Sequence, residues 1–345
     1  MNIELNRDFT LNLLEKIINI PSPTGFCMHV IEYIKNISLE SGYKFEKNKK
    51  GNGIIEIEGL DNSYCVGIPV HVDTLGAMVR SINSDGTLKF TSIGGNIFPT
   101  LDGEYCKIHT RNGQIYTGTM LSTSPSVHVF PDSKSKERNE ENMVVRLDEV
   151  VKTKSDVQAL NIANGDFISI EPKFTITSSG FIKSRYMDDK AGTVCALSLM
   201  ELFNRLGTKP RHKVKIIIST YEEVGHGCSS IPGDIDELVG IDMGCVGLDL
   251  SCTEQDVSIC PKDSSGPYDY DITTKLIKLA EKHEIGHAVD IYPMYGSDVS
   301  ASLKGGNDIK GGLIGPGVHA SHGMERTHIK GIENTIKLIY AYLTE

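Results

Sequence analysis

Val214-Lys215-Ile216-Ile217-Ile218-Ser219-Thr220 runs directly into Tyr221-Glu222-Glu223-Val224-Gly225. A β-branched apolar run of this length reads as a buried strand, so two adjacent carboxylates are delivered where the strand gives out. In open α/β sheets, ligands gather in the crevice beyond the carboxyl ends of the strands. A solvated acidic loop would look the same in isolation, and the rest of the chain must decide between the two.

Other segments end in the same way. Cys65-Val66-Gly67-Ile68-Pro69-Val70 is apolar throughout and ends in His71-Val72-Asp73, while Cys245-Val246-Gly247-Leu248 ends in Asp249-Leu250. Met187-Asp188-Asp189-Lys190-Ala191-Gly192 opens a long helix through Leu206, with both aspartates in the first turn, where the helix dipole favours negative charge. Capping accounts for one of them. Helical spacing also marks residues 8–19, 28–41, 271–284 and 332–343, and residues 54–58 read as a half-exposed strand. Alternating strands and helices predict an α/β fold. Residues 76–175 differ: they hold short strand-like pieces and turns such as Ser84-Asp85-Gly86-Thr87 and Arg111-Asn112-Gly113-Gln114. They are expected to form a β-rich domain inserted into an α/β domain made of residues 1–75 and 176–345.

The balance of 35 basic and 45 acidic residues leaves a net charge of −10, with no basic cluster to follow a phosphate backbone, so no nucleic-acid partner is expected. The chain opens Met1-Asn2-Ile3-Glu4-Leu5-Asn6-Arg7 without a basic-then-apolar leader, and no apolar run approaches the roughly 18 residues of a membrane span. A soluble, cytoplasmic protein without a membrane partner is expected. The 8 cysteines include no Cys-x-x-Cys pair, which argues against a zinc ribbon or dithiol centre.

Collected together, His71, Asp73, Asp188, Glu222, Glu223, Asp249 and a histidine before the last helix supply nitrogen and carboxylate donors without thiolate. Such a set suits zinc, cobalt or manganese with open coordination positions. Two cations sharing a bridging carboxylate are the simplest use of so many donors. Singly each signal is weak, since an Asp-Asp at a helix start is usually a cap and a strand-terminal Asp usually a turn residue.

In Val70-His71-Val72-Asp73, Met187-Asp188-Asp189-Lys190-Ala191-Gly192, Glu222-Glu223-Val224-Gly225 and Leu248-Asp249-Leu250, the chain resembles the deblocking and glutamyl aminopeptidases. This family of co-catalytic metallopeptidases includes the tetrahedral aminopeptidases. The likeness extends into the insert, at Tyr116-Thr117-Gly118 through Ser126-Val127-His128. It implies a three-layer α/β/α zinc-exopeptidase-like domain with an inserted small β-barrel that serves substrate access or oligomerisation. Two divalent ions are implied, zinc first and cobalt or manganese as alternatives, together with peptide substrates and a homo-oligomer between dimer and dodecamer. Carried over by residue, Asp188 bridges the metals, His71 and Asp249 complete one site, and Glu223 with a C-terminal histidine completes the other. Glu222 becomes the general base, Asp73 orients His71, and the Asp188–Asp189 peptide is cis. The last ligand is assigned to His322, which a small residue and then Glu325 follow, with His328 and His319 as alternatives. One departure stands out: His226-Gly227-Cys228 follows Glu223-Val224-Gly225, where the family has a bulky residue and then Arg-Gly. Competing readings are a two-metal amidohydrolase acting on N-acyl amino acids and a non-catalytic metal-binding assembly protein.

Overall fold

The computed structural model describes residues 3–345. The chain starts with helices α1 (Arg7–Ile18) and α2 (Met28–Glu40), then strands β1 (Lys44–Lys47), β2 (Gly53–Ile57) and β3 (Asp61–His71). It next forms β4 (Gly76–Ile82), β5 (Leu88–Ile93), β6 (Tyr105–His109), β7 (Ile115–Ser122), β8 (Met143–Leu147), the short α3 (Lys154–Ala159) and β9 (Phe167–Ile170). After the hairpin β10 (Thr175–Ile176) and β11 (Phe181–Ser184) come α4 (Met187–Leu206), β12 (His212–Ser219), β13 (Glu237–Ile241) and β14 (Gly244–Cys245). The last part holds β15 (Val257–Asp263), β16 (Gly266–Pro267), α5 (Tyr270–Lys282), β17 (His287–Ile291), α6 (Asp298–Lys304), β18 (Lys310–Val318), β19 (Glu325–His328) and α7 (Ile329–Thr344).

Two compact units result. One ends at Asp73 and resumes at Lys173, and the other is Thr74–Pro172. The second unit is a closed six-stranded barrel in the order β4-β5-β8-β7-β6-β9. Its interior takes the inward residues of each strand, including Val79, Phe90, Ile108, Met120, Val145 and Ile168. Alternation along the strands produces this core, because successive side chains point to opposite faces.

In the first unit a ten-stranded sheet runs β1-β2-β12-β3-β13-β18-β15-β16, with β14 on β18 and β17 on β15. Its centre, β12-β3-β13-β18, is parallel. Such strands are covered on both faces and are therefore apolar along their length. A Cβ on Gly311 would meet Val299 and Leu303 of α6, whereas one on Gly312 would meet Ile272 and Leu276 of α5. Neighbouring strand residues point to opposite faces, so α6 lies on one face and α5 on the other. Helix α7 packs on α5 and α4 and joins that second layer, which makes the unit three layers deep. The Gly-rich segment 311–317 is thus a core strand, which its composition did not announce. Helix α4 is buried for most of its length, from Met187 to Phe203. At about 1.5–3 kcal/mol per fully buried large apolar side chain, it is a principal source of this unit's stability.

Register decides where the site lies. Ser219 pairs with His71 at the ends of β12 and β3. On the other side Glu237 pairs with Val66 and Leu238 with Gly67, and extending that register brings Asp242 level with His71. Three parallel strands therefore release their chains at one height, with His71 in the middle. Among the described residues no helix is long and apolar enough to cross a membrane.

Candidate active site

At the end of β3, His71 is 1% exposed. Its Nδ1 faces the backbone carbonyl of Asp73 at 3.0 Å, and its Nε2 faces Asp188 Oδ1 at 3.2 Å. The carbonyl contact assigns Nδ1 as the N–H donor and leaves Nε2 as the basic nitrogen directed into the crevice. Asp188 sits in the first turn of α4, and its peptide bond to Asp189 is cis. Its second oxygen, Oδ2, turns away from His71 and lies 3.5 Å from His322 Nε2 while accepting Ser321 Oγ at 2.9 Å. Glu223 Oε2 is also 3.5 Å from His322 Nε2.

Two donor groups emerge. In each, one ligand atom per residue lies within 4.8 Å of the others: His71, Asp189 and Asp242 in one, and Asp188, Glu223 and His322 in the other. Asp189 is already occupied, since its oxygens accept His71 N at 3.4 Å and Gly192 N at 3.1 Å, so it braces the first group. Glu325 braces the second, accepting His322 N at 3.0 Å and Asp188 N at 3.1 Å.

One assignment from the sequence is corrected. Asp249 is exposed and belongs to neither group, and Asp242, directly after β13, stands in its place. The cause is strand identity. The strand beside β3 is β13, whereas Cys245 pairs with β18 through β14 and the chain then turns outward at Gly247, φ 138°. Of the three histidines weighed for the last ligand, only His322 reaches a donor group. His328 is committed elsewhere, with Nε2 on the Ser179 carbonyl at 2.9 Å and Nδ1 accepting Lys330 N as the cap of α7. His319 is exposed at the end of β18.

Asp73 orients His71 through its backbone carbonyl, and its side chain has a separate task. Its carboxylate is 3.7 Å from His71 Nδ1, too far for a hydrogen bond. It accepts instead from Glu222 N at 3.1 Å, Glu223 N at 3.3 Å and Thr24 Oγ1 at 2.7 Å. Asp73 thereby holds the 3₁₀ turn Glu222–Val224. Within that turn the two glutamates diverge: Glu223 joins the second donor group, and Glu222 belongs to neither, with Oε2 3.7 Å from His71 Nε2.

The electrostatics follow from crowding. Burial, with the negative charges of Asp242, Asp298 and Glu223, raises Glu222 well above the ordinary carboxylate range, against the pull of His71. Burial and Asp188 raise Asp242 to about 7 and Glu325 to about 8. For Asp188, burial is outweighed by hydrogen bonds from His322 and His71, and its pKa falls. Burial also opposes charge on His71, yet the surrounding carboxylates of Asp188, Glu222, Asp242 and Asp73 hold it well above its usual value. So many carboxylates forcing one another upward fit cation binding, because bound cations relieve the repulsion and imidazole and carboxylate are suitable donors.

Comparison with known proteins supplies the family and the fold. The family model of M42 glutamyl aminopeptidase matches residues 51–338. The chain belongs to that family. It is 46% identical over 335 residues to the putative aminopeptidase YhfE of Bacillus subtilis, covering 97% of both chains. Its fold matches the TET aminopeptidase of a marine sediment Thaumarchaeota archaeon with a TM-score of 0.89 at 18% identity, over 99% of this chain and 97% of the other. A second match is the Pyrococcus horikoshii TET1 peptidase, described as able to assemble into a tetrahedron or a large octahedral shell. There the TM-score is 0.84 at 22% identity, covering 97% and 99% of the two chains. The protein is an aminopeptidase, a hydrolase of the metallopeptidase class. The closed barrel and the α/β unit together are the fold of these enzymes.

Proposed function

We propose that this aminopeptidase removes the N-terminal residue of short peptides with two divalent cations, zinc first, and with Glu222 as general base. The observation that carries the reading is the split of Asp188: Oδ1 faces His71 and Oδ2 faces His322, as a carboxylate shared by two sites would. His71 and Asp242 complete one site, and Glu223 and His322 the other. When bound, the cations would lower the pKa of a shared water and polarise the scissile carbonyl. Glu222 takes the proton of the attacking water and returns it to the leaving amine. Its place outside both donor groups, beside His71, leaves it free for this. Asp73 fixes the backbone that presents it.

Assembly into a homo-oligomer belongs to the same reading, supported by the shells described for the Pyrococcus horikoshii relative. The barrel domain would supply subunit contacts or restrict access to the site, and the cytoplasm would be the working compartment. The experiment is a substrate panel of aminoacyl anilides, short peptides and N-acyl amino acids, assayed with and without chelator. Cleavage confined to substrates with a free amino terminus, and lost with chelator, is expected. Preference for N-acyl amino acids would replace the reading with an amidohydrolase. Metal binding without turnover of any substrate would replace it with an assembly protein.

A further inference from the structure

Glu222 stands at the start of an irregular loop that ends at Cys228, so its position depends on what holds that loop. Asp73 holds the near end through Glu222 N and Glu223 N. The Lys50 ammonium donates to the carbonyls of His226 and Gly227 and to Ser229 Oγ. Asn52 donates to Gly227 O at 3.1 Å and accepts from Thr220 Oγ1 at 2.9 Å. At the far end, Asp298 Oδ1 accepts the Cys228 N–H at 2.7 Å.

Asp298 is the first residue of α6, where an acid ordinarily serves its own helix. Here that service is already supplied: Ser297 caps α6 and Ser300 completes the capping box. The Asp298 side chain reaches 70 residues back in sequence instead. It is 4% exposed, and the buried Ser219 hydroxyl lies beside it. A carboxylate kept in such surroundings weakens the fold unless its contact serves something else. Asp298 lines a narrow crevice with His71 and Asp242, yet it belongs to neither donor group. The loop fits closely against it, since a Cβ built on Gly227 would collide with Ser219 Oγ and Asp298 Oδ1.

We propose that Asp298 is a positioning residue for Glu222: by accepting the Cys228 N–H it closes the far end of the loop whose near end Asp73 holds. Together the two aspartates set where the Glu222 carboxylate stands beside His71. The proposal rests on the reading of Glu222 as the general base. A displacement of about 1 Å of a catalytic group can cost on the order of 100-fold in rate, so an unseen tie of this kind is worth a buried charge.

The test uses the full chain loaded with zinc and an aminoacyl anilide as substrate, with kcat, KM, bound metal and melting temperature measured separately. Asp298→Ala is expected to lower kcat by about 10- to 100-fold with KM and metal content unchanged. Asp298→Asn keeps an oxygen able to accept the Cys228 N–H and is expected to recover kcat to within about threefold of the wild type. In a Glu222→Gln background, Asp298→Ala is expected to lower the residual rate no further. Wild-type kcat in Asp298→Ala, or equal loss in the Ala and Asn variants, would overturn the proposal. If Asp298→Ala does not fold, Gly227→Ala takes its place, with the same kcat deficit expected and a wild-type kcat overturning it. Full turnover in Glu222→Gln alone would instead sink the reading of the base, whatever Asp298 does.

Discussion

The barrel interior and the crevice at the sheet's carboxyl edge are both buried, and they are built by opposite rules. In the barrel, Phe90, Ile108, Met120 and Ile168 bury only apolar atoms, and burial itself is the stabilising term. In the crevice, Asp73, Asp188, Asp189, Asp242 and Glu325 are buried together, and burial pushes Asp242 and Glu325 towards the neutral form. The barrel is complete as a folded polypeptide. The crevice would acquire its full stability only with the cations proposed above to offset its charge.

That contrast can be broken in several ways, and the largest effects belong to the crevice. Asp242→Ala should lose one metal equivalent and at least about 100-fold in kcat/KM, whereas Asp249→Ala should stay within about twofold; metal analysis beside steady-state kinetics separates them. If Asp249→Ala proves the damaging one, the placement of β13 beside β3 is wrong.

Next comes a stability effect in the barrel. Phe90→Ala removes a 1% exposed ring and should cost about 3–5 kcal/mol in denaturant unfolding of the unit containing it. Metal content should stay at two equivalents. A loss of metal in that variant would blur the distinction between the regions.

A smaller effect is pH-dependent. In metal-free protein, Asp242 and Glu325 hold their protons up to about pH 7 and 8, above their unfolded values near 4. The native state then binds more protons than the unfolded state across that interval, so stability falls as pH rises from about 4 to 8. Added zinc should remove the slope. Melting curves across this range, with and without metal, check both statements, and a rising or flat metal-free profile would contradict them.

How much of this was legible in the sequence depended on what each residue follows. His71 and Glu222 end long apolar runs with a single plausible register, and Asp188 opens a helix whose buried face spans most of its length. Asp242 was hidden because two short apolar runs, ending at Ile241 and Leu248, are each followed by an aspartate. Only strand pairing chooses between them, and pairing is a long-range property. The strand β18 was hidden for another reason: glycine and proline are poor strand formers, although the glycines are what lets α5 and α6 approach the sheet. Asp298 carried no signal beyond that of an ordinary first-turn acid. The Asp73 side chain was foreseen near His71, but its grip on the backbone of Glu222 and Glu223 depends on the turn conformation after β12.

The most direct test of the account is Glu222→Gln, with bound metal and turnover of an aminoacyl anilide measured on the same preparation. The general-base role of Glu222 predicts two equivalents of zinc per chain and a kcat lowered by at least about 1,000-fold, because the donor groups are intact and the proton acceptor is gone. Lost metal in a folded variant would make Glu222 a ligand, and turnover near the wild-type rate would show that the proton goes elsewhere; either result would contradict it.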